Sequence, residues 1–109
     1  YNVASREVES RILPLALERR IAVIINRPFE GGDLIDETKG KPLPAWAGEL
    51  GCKSWAQIML KFIVSHPAVT CPIPATTRVD HVQENLGAAA GPLPDKAMRA
   101  RILSAVGTA

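Results

Sequence analysis

A chain of 109 residues is long enough for one small domain and too short for two. Aromatic residues make up 5% of it, so any core is aliphatic, and a formal charge of +2 gives no reason to expect nucleic acid or an anionic membrane surface as partner. No apolar run approaches the roughly 20 residues of a spanning helix, and no secretory pattern opens the chain, so a cytoplasmic setting is expected unless an export signal stands upstream.

The chain begins Tyr1-Asn2-Val3 without an initiator methionine, and its methionines are Met59 and Met98. A processed product, a truncation or the remnant of a longer chain is therefore expected. Cys52 and Cys71 form neither a CxxC pair nor a disulfide framework, so both are expected as reduced thiols.

Taken in chain order, residues 5 to 20 place Val8, Ile12, Leu13, Leu15, Ala16 and Leu17 on one helical face. Ser5 is the expected N-cap, Glu7 and Glu9 suit the positive end of the helix dipole, and Pro14 predicts a bend. Residues 21 to 25 (IAVII) have no polar alternation, which predicts a strand buried on both faces in a parallel sheet. From Asn26 to about Pro44, Arg27-Pro28-Phe29, Gly31-Gly32-Asp33 and Lys39-Gly40-Lys41-Pro42 signal a long loop, followed by a short helix at residues 45 to 50.

Ser54 opens a second helix over residues 54 to 65, with Trp55, Ile58, Met59, Phe62 and Ile63 as its apolar set. His66-Pro67 ends it, and Val69 to Ile73 predicts a second buried strand. A helix from Val79 to about Ala90, the break Gly91-Pro92-Leu93-Pro94 and a last helix from Asp95 to about Val106 follow. This alternation implies βαβ units and an α/β fold with a parallel sheet, and Tyr1 to Val3 suit the tail of an earlier strand. Two or three such strands leave open edges that another chain or a second copy could cover.

Loops that follow parallel strands gather at the carboxyl end of the sheet, where ligands bind in barrels and open sheets alike. Two qualify here, Asn26 to Asp33 and Pro74 to Arg78, and together they could line one crevice. In the second, Thr76 and Thr77 can donate hydroxyl hydrogens, Ala75 permits close approach, Arg78 can fork onto a phosphate, and the helix start adds free N–H groups. Glu84 and Asn85 lie about two turns further on, placed to bond a base ring. Spacing alone leaves the plainer alternative open, in which Thr77 or Asp80 caps the helix and the polar residues form a solvated face. Arg27, Phe29 and Gly31-Gly32 carry the same ambiguity: a phosphate wrap with a ring cover, or a glycine-rich surface turn.

His81 with Glu84 or Asn85 has too few companions for a metal site, and Ser65-His66 are neighbours without the geometry of a nucleophile and base. His66 suits a helix terminus, satisfied by water or a backbone carbonyl, while Trp46 and Trp55 suit packing.

The segments VIINRPFEGGDL, WAQIMLKFIVSHPAVTCPIPATTRVDHVQENL and GPLPD together resemble the carboxyl-terminal part of the aldo/keto reductase family. The resemblance implies a partial (β/α)8 TIM barrel, with Tyr1 to Val3 ending the sixth strand, Ile21 to Asn26 the seventh and Thr70 to Ile73 the eighth. It also implies NADP(H), with NAD(H) as the alternative. Arg27, Pro28, Phe29 and Gly31 fall in the loop over the pyrophosphate, and Asn26 falls where many members stack an aromatic ring on the nicotinamide. Ile73, Pro74, Ala75, Thr76 and Thr77 match the stretch beside the adenosine ribose and 2′-phosphate, while Glu84 and Asn85 match the adenine contacts. Many members carry lysine at the position of Ala75 and arginine at that of His81, which leaves Arg78 as the nearest cation for a 2′-phosphate. The family's catalytic tyrosine, lysine, aspartate and histidine lie on the first half of the barrel, so the resemblance implies a cofactor-binding segment, inactive alone, whose partner is the amino-terminal part. The alternative is a stand-alone, non-enzymatic α/β module that self-associates through its strand edges.

Overall fold

The structure, a computed structural model, describes residues 1–108. The segment expected as one bent helix divides into a 3-10 turn at Glu7–Glu9 and an α-helix, α1, at Ile12–Glu18. Ser5 does not cap it, because its hydroxyl donates to the Glu7 carboxylate at 3.0 Å. Pro14 is the third residue of α1, where helical N–H groups have no intrahelical acceptor, so the helix starts around the proline and is not bent by it.

The two strands are shorter than their aliphatic runs and pair in parallel: β1 at Ile24–Ile25 beside β2 at Cys71–Pro72, with Ile24 opposite Cys71. Flanking bonds extend the ladder, Thr70 N–H donating to Val23 O at 2.9 Å and Ile73 N–H to Ile25 O at 2.8 Å. Burial on both faces is not found. Ile25 is buried, but Ile24 is 61% exposed and Ile73 53% exposed, because successive side chains of a strand point to opposite faces and the described residues cover one of them. Tyr1 to Val3 form no strand, although Asn2 and Val3 are buried.

The long loop after β1 holds an unexpected helix, α2, at Asp33–Thr38. Its N-cap is Gly32 at φ 109°, a left-handed position that glycine occupies without a Cβ clash. The helix predicted at residues 45 to 50 is a 3-10 segment, Ala45–Leu50, that buries Trp46 and Leu50.

Helix α3, Trp55–Val64, is the centre of the core. The Ser54 hydroxyl accepts from Gln57 N–H at 3.2 Å, which fixes the start of the helix, and every side chain from Gln57 to Ile63 is buried. Val3, Ile25, Leu34, Trp46, Ile102 and Val106 join Ile58, Met59, Phe62 and Ile63 in one hydrophobic cluster, mostly aliphatic. Helix α4 spans Val79–Gly87 and α5 spans Lys96–Val106; Asp95 caps α5 by accepting from Met98 N–H at 2.8 Å.

One arginine ties the two ends of the chain together. Arg99 of α5 lies 4.0 Å above the Phe62 ring and donates to Phe62 O at 2.5 Å, Ser65 Oγ at 2.6 Å and the Glu9 carboxylate at 2.9 Å. It also meets the Tyr1 hydroxyl at 2.8 Å, and that hydroxyl donates to Glu9. Burial first, then the bond to Glu9, pushes the Tyr1 phenol above its ordinary range, with Arg99 opposing.

Candidate functional site

The loop after β1 is strained where chemistry would need a fixed backbone. Arg27 and Glu30 both take positive φ, 50° and 51°, and Gly31 and Gly32 follow at 68° and 109°. For the two non-glycine residues this conformation costs roughly 1–2 kcal/mol each, so something must hold it. Asn2 does so from the core side. Its amide donates to Arg27 O at 3.0 Å and to Glu30 Oε1 at 2.7 Å, while its oxygen accepts from Ala4 N–H and Ser5 N–H, both at 2.8 Å. The Asn2 side chain thus uses both amide hydrogens and both lone pairs on backbone and loop.

The loop after β2 is pinned from α4. Asn85 Nδ2 donates to Pro74 O at 3.3 Å, and Thr76 Oγ1 accepts from Arg78 N–H at 3.2 Å. Neither Thr77 nor Asp80 is the N-cap of α4: it is Arg78, whose side chain makes no capping bond. Asp80 instead takes the Arg78 guanidinium in a fork, at 3.0 and 2.6 Å. That bond holds the Asp80 carboxyl below its ordinary range and raises the arginine further.

Between the two loops run two adjoining cavities, about 340 and 300 Å³, that share Phe29 and Ala75 as walls. Phe29, Ala75, Thr76, His81, Glu84 and Asn85 line the first, with Arg27, Pro28, Phe29, Gly31, Ile73, Pro74 and Ala75 around the second. Residues of both loops thus line these two adjoining cavities, called the crevice below. Asn26, Thr77 and Arg78 stand outside its walls. Residues not anticipated at the site also contribute: Ile35 and Thr38 of α2, Lys39 just beyond it, and Ser54 with Trp55 at the start of α3. Trp55 was legible as packing, and it does pack, with its indole N–H donating to Lys41 O at 3.0 Å, but it also presents a face to the crevice.

A sequence model of the aldo/keto reductase family matches residues 1–101. The chain belongs to that family. An uncharacterized oxidoreductase of Schizosaccharomyces pombe, C215.11c, is 34% identical over 89 residues, which are 82% of this chain and 28% of that protein. The chain thus spans little more than a quarter of that relative's length. The crystal structure of a thermostable aldo-keto reductase, Tm1743, in complex with the inhibitor epalrestat matches with a TM-score of 0.70 and 24% identity, over 98% of this chain and 38% of that one. This likeness shows an α/β, TIM-barrel-like fold, of which the described residues carry two strands.

Aldo/keto reductases generally use nicotinamide dinucleotides. In this aldo/keto reductase chain the crevice joins apolar walls, from Phe29, Ile35 and Trp55, to amide and hydroxyl groups on Asn85 and Thr76. Its cations are already engaged: Lys39 meets Asp36 at 2.6 Å, and Arg27 lies 3.5 Å from Glu30. Lys39, Asp36 and Arg27 are largely exposed and Glu30 is half-buried, so both pairs still meet solvent and are weak. Among the described residues no group of three His, Cys, Asp or Glu side chains could hold a metal, and no helix is long and apolar enough to cross a membrane. Cys52 and Cys71 are free thiols. His66, outside the crevice, accepts Ala68 N–H on Nδ1 at 3.1 Å, a backbone N–H where water or a backbone carbonyl was expected.

Proposed function

We propose that the chain is the cofactor-binding, carboxyl-terminal portion of an NADP(H)-dependent aldo/keto reductase that reduces aldehydes or ketones, and that it is inactive without the rest of the barrel. In this reading β1 and β2 are the seventh and eighth barrel strands, and Tyr1 to Val3 follow the sixth. One observation carries it: residues of the two post-strand loops line two adjoining cavities, one of which is also lined by His81, Glu84 and Asn85 of α4.

The residues present fit a dinucleotide. A phosphate would find the Thr76 hydroxyl, and an adenine ring would find Glu84 and Asn85. Lys39 adds a second candidate cation beside Arg78 for a 2′-phosphate, and either would have to exchange its present carboxylate for it. The strained loop held by Asn2 would lie over the pyrophosphate. NADPH supplies the hydride when bound, while the residues of this chain bind and orient it. The catalytic side chains would come from the amino-terminal part.

Trp55 supplies the test, because it lines the crevice while Trp46 is buried in the core. In a Trp46→Phe background, NADPH is expected to quench Trp55 in a saturable way. Asn85→Ala should weaken the binding several-fold, by the loss of one or two hydrogen bonds of about 1 kcal/mol each. Unchanged fluorescence at millimolar NADPH would rule the cofactor reading out.

The exposed apolar residues Ile24, in β1, and Ile73, just after β2, favour a second reading, a self-associating α/β module without enzymatic activity. Sedimentation of the chain, alone and mixed with an amino-terminal half-barrel, separates the two: dimers that persist in the mixture support the second.

A further inference from the structure

Helix α3 does more than fill the core. Gln57 and Lys61, one turn apart and so on one face, are both buried, and both donate to the end of α4 and its exit turn. Gln57 sits three residues after the Ser54 N-cap, and its side-chain oxygen accepts from Lys53 N–H at 2.7 Å, close to a capping box. Its Nε2 then crosses to Glu84 O at 2.9 Å. Glu84 O is one of the last four carbonyls of α4, which have no intrahelical donor. Lys61, fully buried, donates Nζ to Ala90 O at 2.5 Å and to Pro92 O at 2.9 Å.

Gly87 makes the Gln57 contact geometrically possible. A Cβ at that position would stand 2.6 Å from Gln57 Nε2, too close for both to remain in place. The bonded carbonyl belongs to Glu84, and the neighbouring residue is Asn85, so the clamp grips α4 at the point where its side chains enter the crevice. No residue of α4 is buried, and α3 is the element it packs against most, so the face it turns to α3 sets its position.

We infer that Gln57, supported by Lys61, is a positioning residue that fixes the distance of α4 from the crevice and so sets the affinity for the adenosine end of the cofactor. The inference rests on the cofactor reading above. Gln57→Glu keeps the acceptor for Lys53 N–H but sets a carboxylate against the Glu84 carbonyl. Gly87→Ala pushes the Gln57 amide off the same carbonyl from the other side.

The experiment uses the protein of the full reading frame and the probes NADPH and adenosine 2′,5′-bisphosphate. Each single variant is expected to weaken both probes about tenfold, the equivalent of one buried hydrogen bond. In steady state this appears as a raised KM for NADPH with kcat unchanged, while amide exchange at residues 82–86 accelerates. Adding Gly87→Ala to Gln57→Ala should cost nothing further, because the side chain it displaces is already gone. Wild-type affinity in Gln57→Glu, or full additivity of the pair, overturns the inference while the cofactor reading stands. Failure of the wild type to bind either probe overturns both.

Discussion

Helices α3 and α4 are similar in length and pack against each other, yet their surroundings are opposite. Every side chain of α3 from Gln57 to Ile63 is buried, including an amide and an ammonium, whereas no side chain of α4 is buried. The apolar residues of α4 are nevertheless patterned: Val79, Val82 and Leu86 recur at three- and four-residue spacing on one stripe. Leu86 helps to line an apolar groove of about 550 Å³, with Leu60, Val64, Cys71, Pro72 and Leu93. The difference teaches that helical periodicity reports which face a helix is built to bury, while burial itself depends on which layer lies against that face.

The largest break in this comparison comes from α3. Phe62 is 1% exposed and carries the Arg99 guanidinium on its ring and on its carbonyl. Phe62→Ala is expected to cost about 3–5 kcal/mol, from lost burial, the cavity left behind and the lost cation–π contact. Urea denaturation followed by far-ultraviolet circular dichroism measures it. A loss below about 1 kcal/mol would mean that α3 does not organise the core.

Much of α3 and its surroundings was legible in the sequence, and the reasons are local. Ser54 before a helical apolar pattern is a start signal whose chemistry lies in the cap itself, and that cap is bonded as expected. Asp95 after the Gly-Pro break marks the start of the last helix, and the structure adds that Asp95 is its cap. The strands were legible in position but not in burial, because an aliphatic run states a preference for cover without stating what supplies it. Helix α2 stayed hidden behind Gly31-Gly32, which signal a turn and here also start a helix. Left-handed Arg27 and Glu30 have no sequence signature at all, since the conformation is imposed by Asn2 from 25 and 28 residues away. In the site, residues next to one another in the chain were easy to group. Lys39, Ser54 and Trp55 were not, because they reach the crevice through tertiary packing alone.

A smaller effect comes from the residue just beyond α3. Burial, and then the nearby Arg99 charge, lowers the His66 pKa below its ordinary value of about 6.5, with Glu9 opposing. The unfolded chain therefore takes up the proton at a higher pH than the folded one. This contribution to stability is fully present above pH of about 6.5 and is lost as pH falls through the folded-state pKa. The urea midpoint should decline over that window, and His66→Asn should flatten the decline. A midpoint that rises on acidification would contradict the assignment.

The smallest effect is expected on α4, and it separates the two readings of the molecule. Leu86 is 68% exposed, so in this chain alone Leu86→Ser changes little that is buried, and a shift within about 0.5 kcal/mol is expected. In a protein whose remaining barrel elements cover the groove, the same substitution removes a packed leucine and places a hydroxyl against apolar walls. There the cost rises to about 2–4 kcal/mol. Measuring Leu86→Ser by denaturation in both settings, with Phe62→Ala as reference, converts the contrast between α3 and α4 into a number. If Leu86→Ser is equally mild in both, the stripe on α4 faces solvent in the complete protein too, and covering of the groove by the rest of the barrel must be given up. If it is mild in one and severe in the other, α4 is built for the same depth of burial as α3, and the missing layer is what distinguishes them.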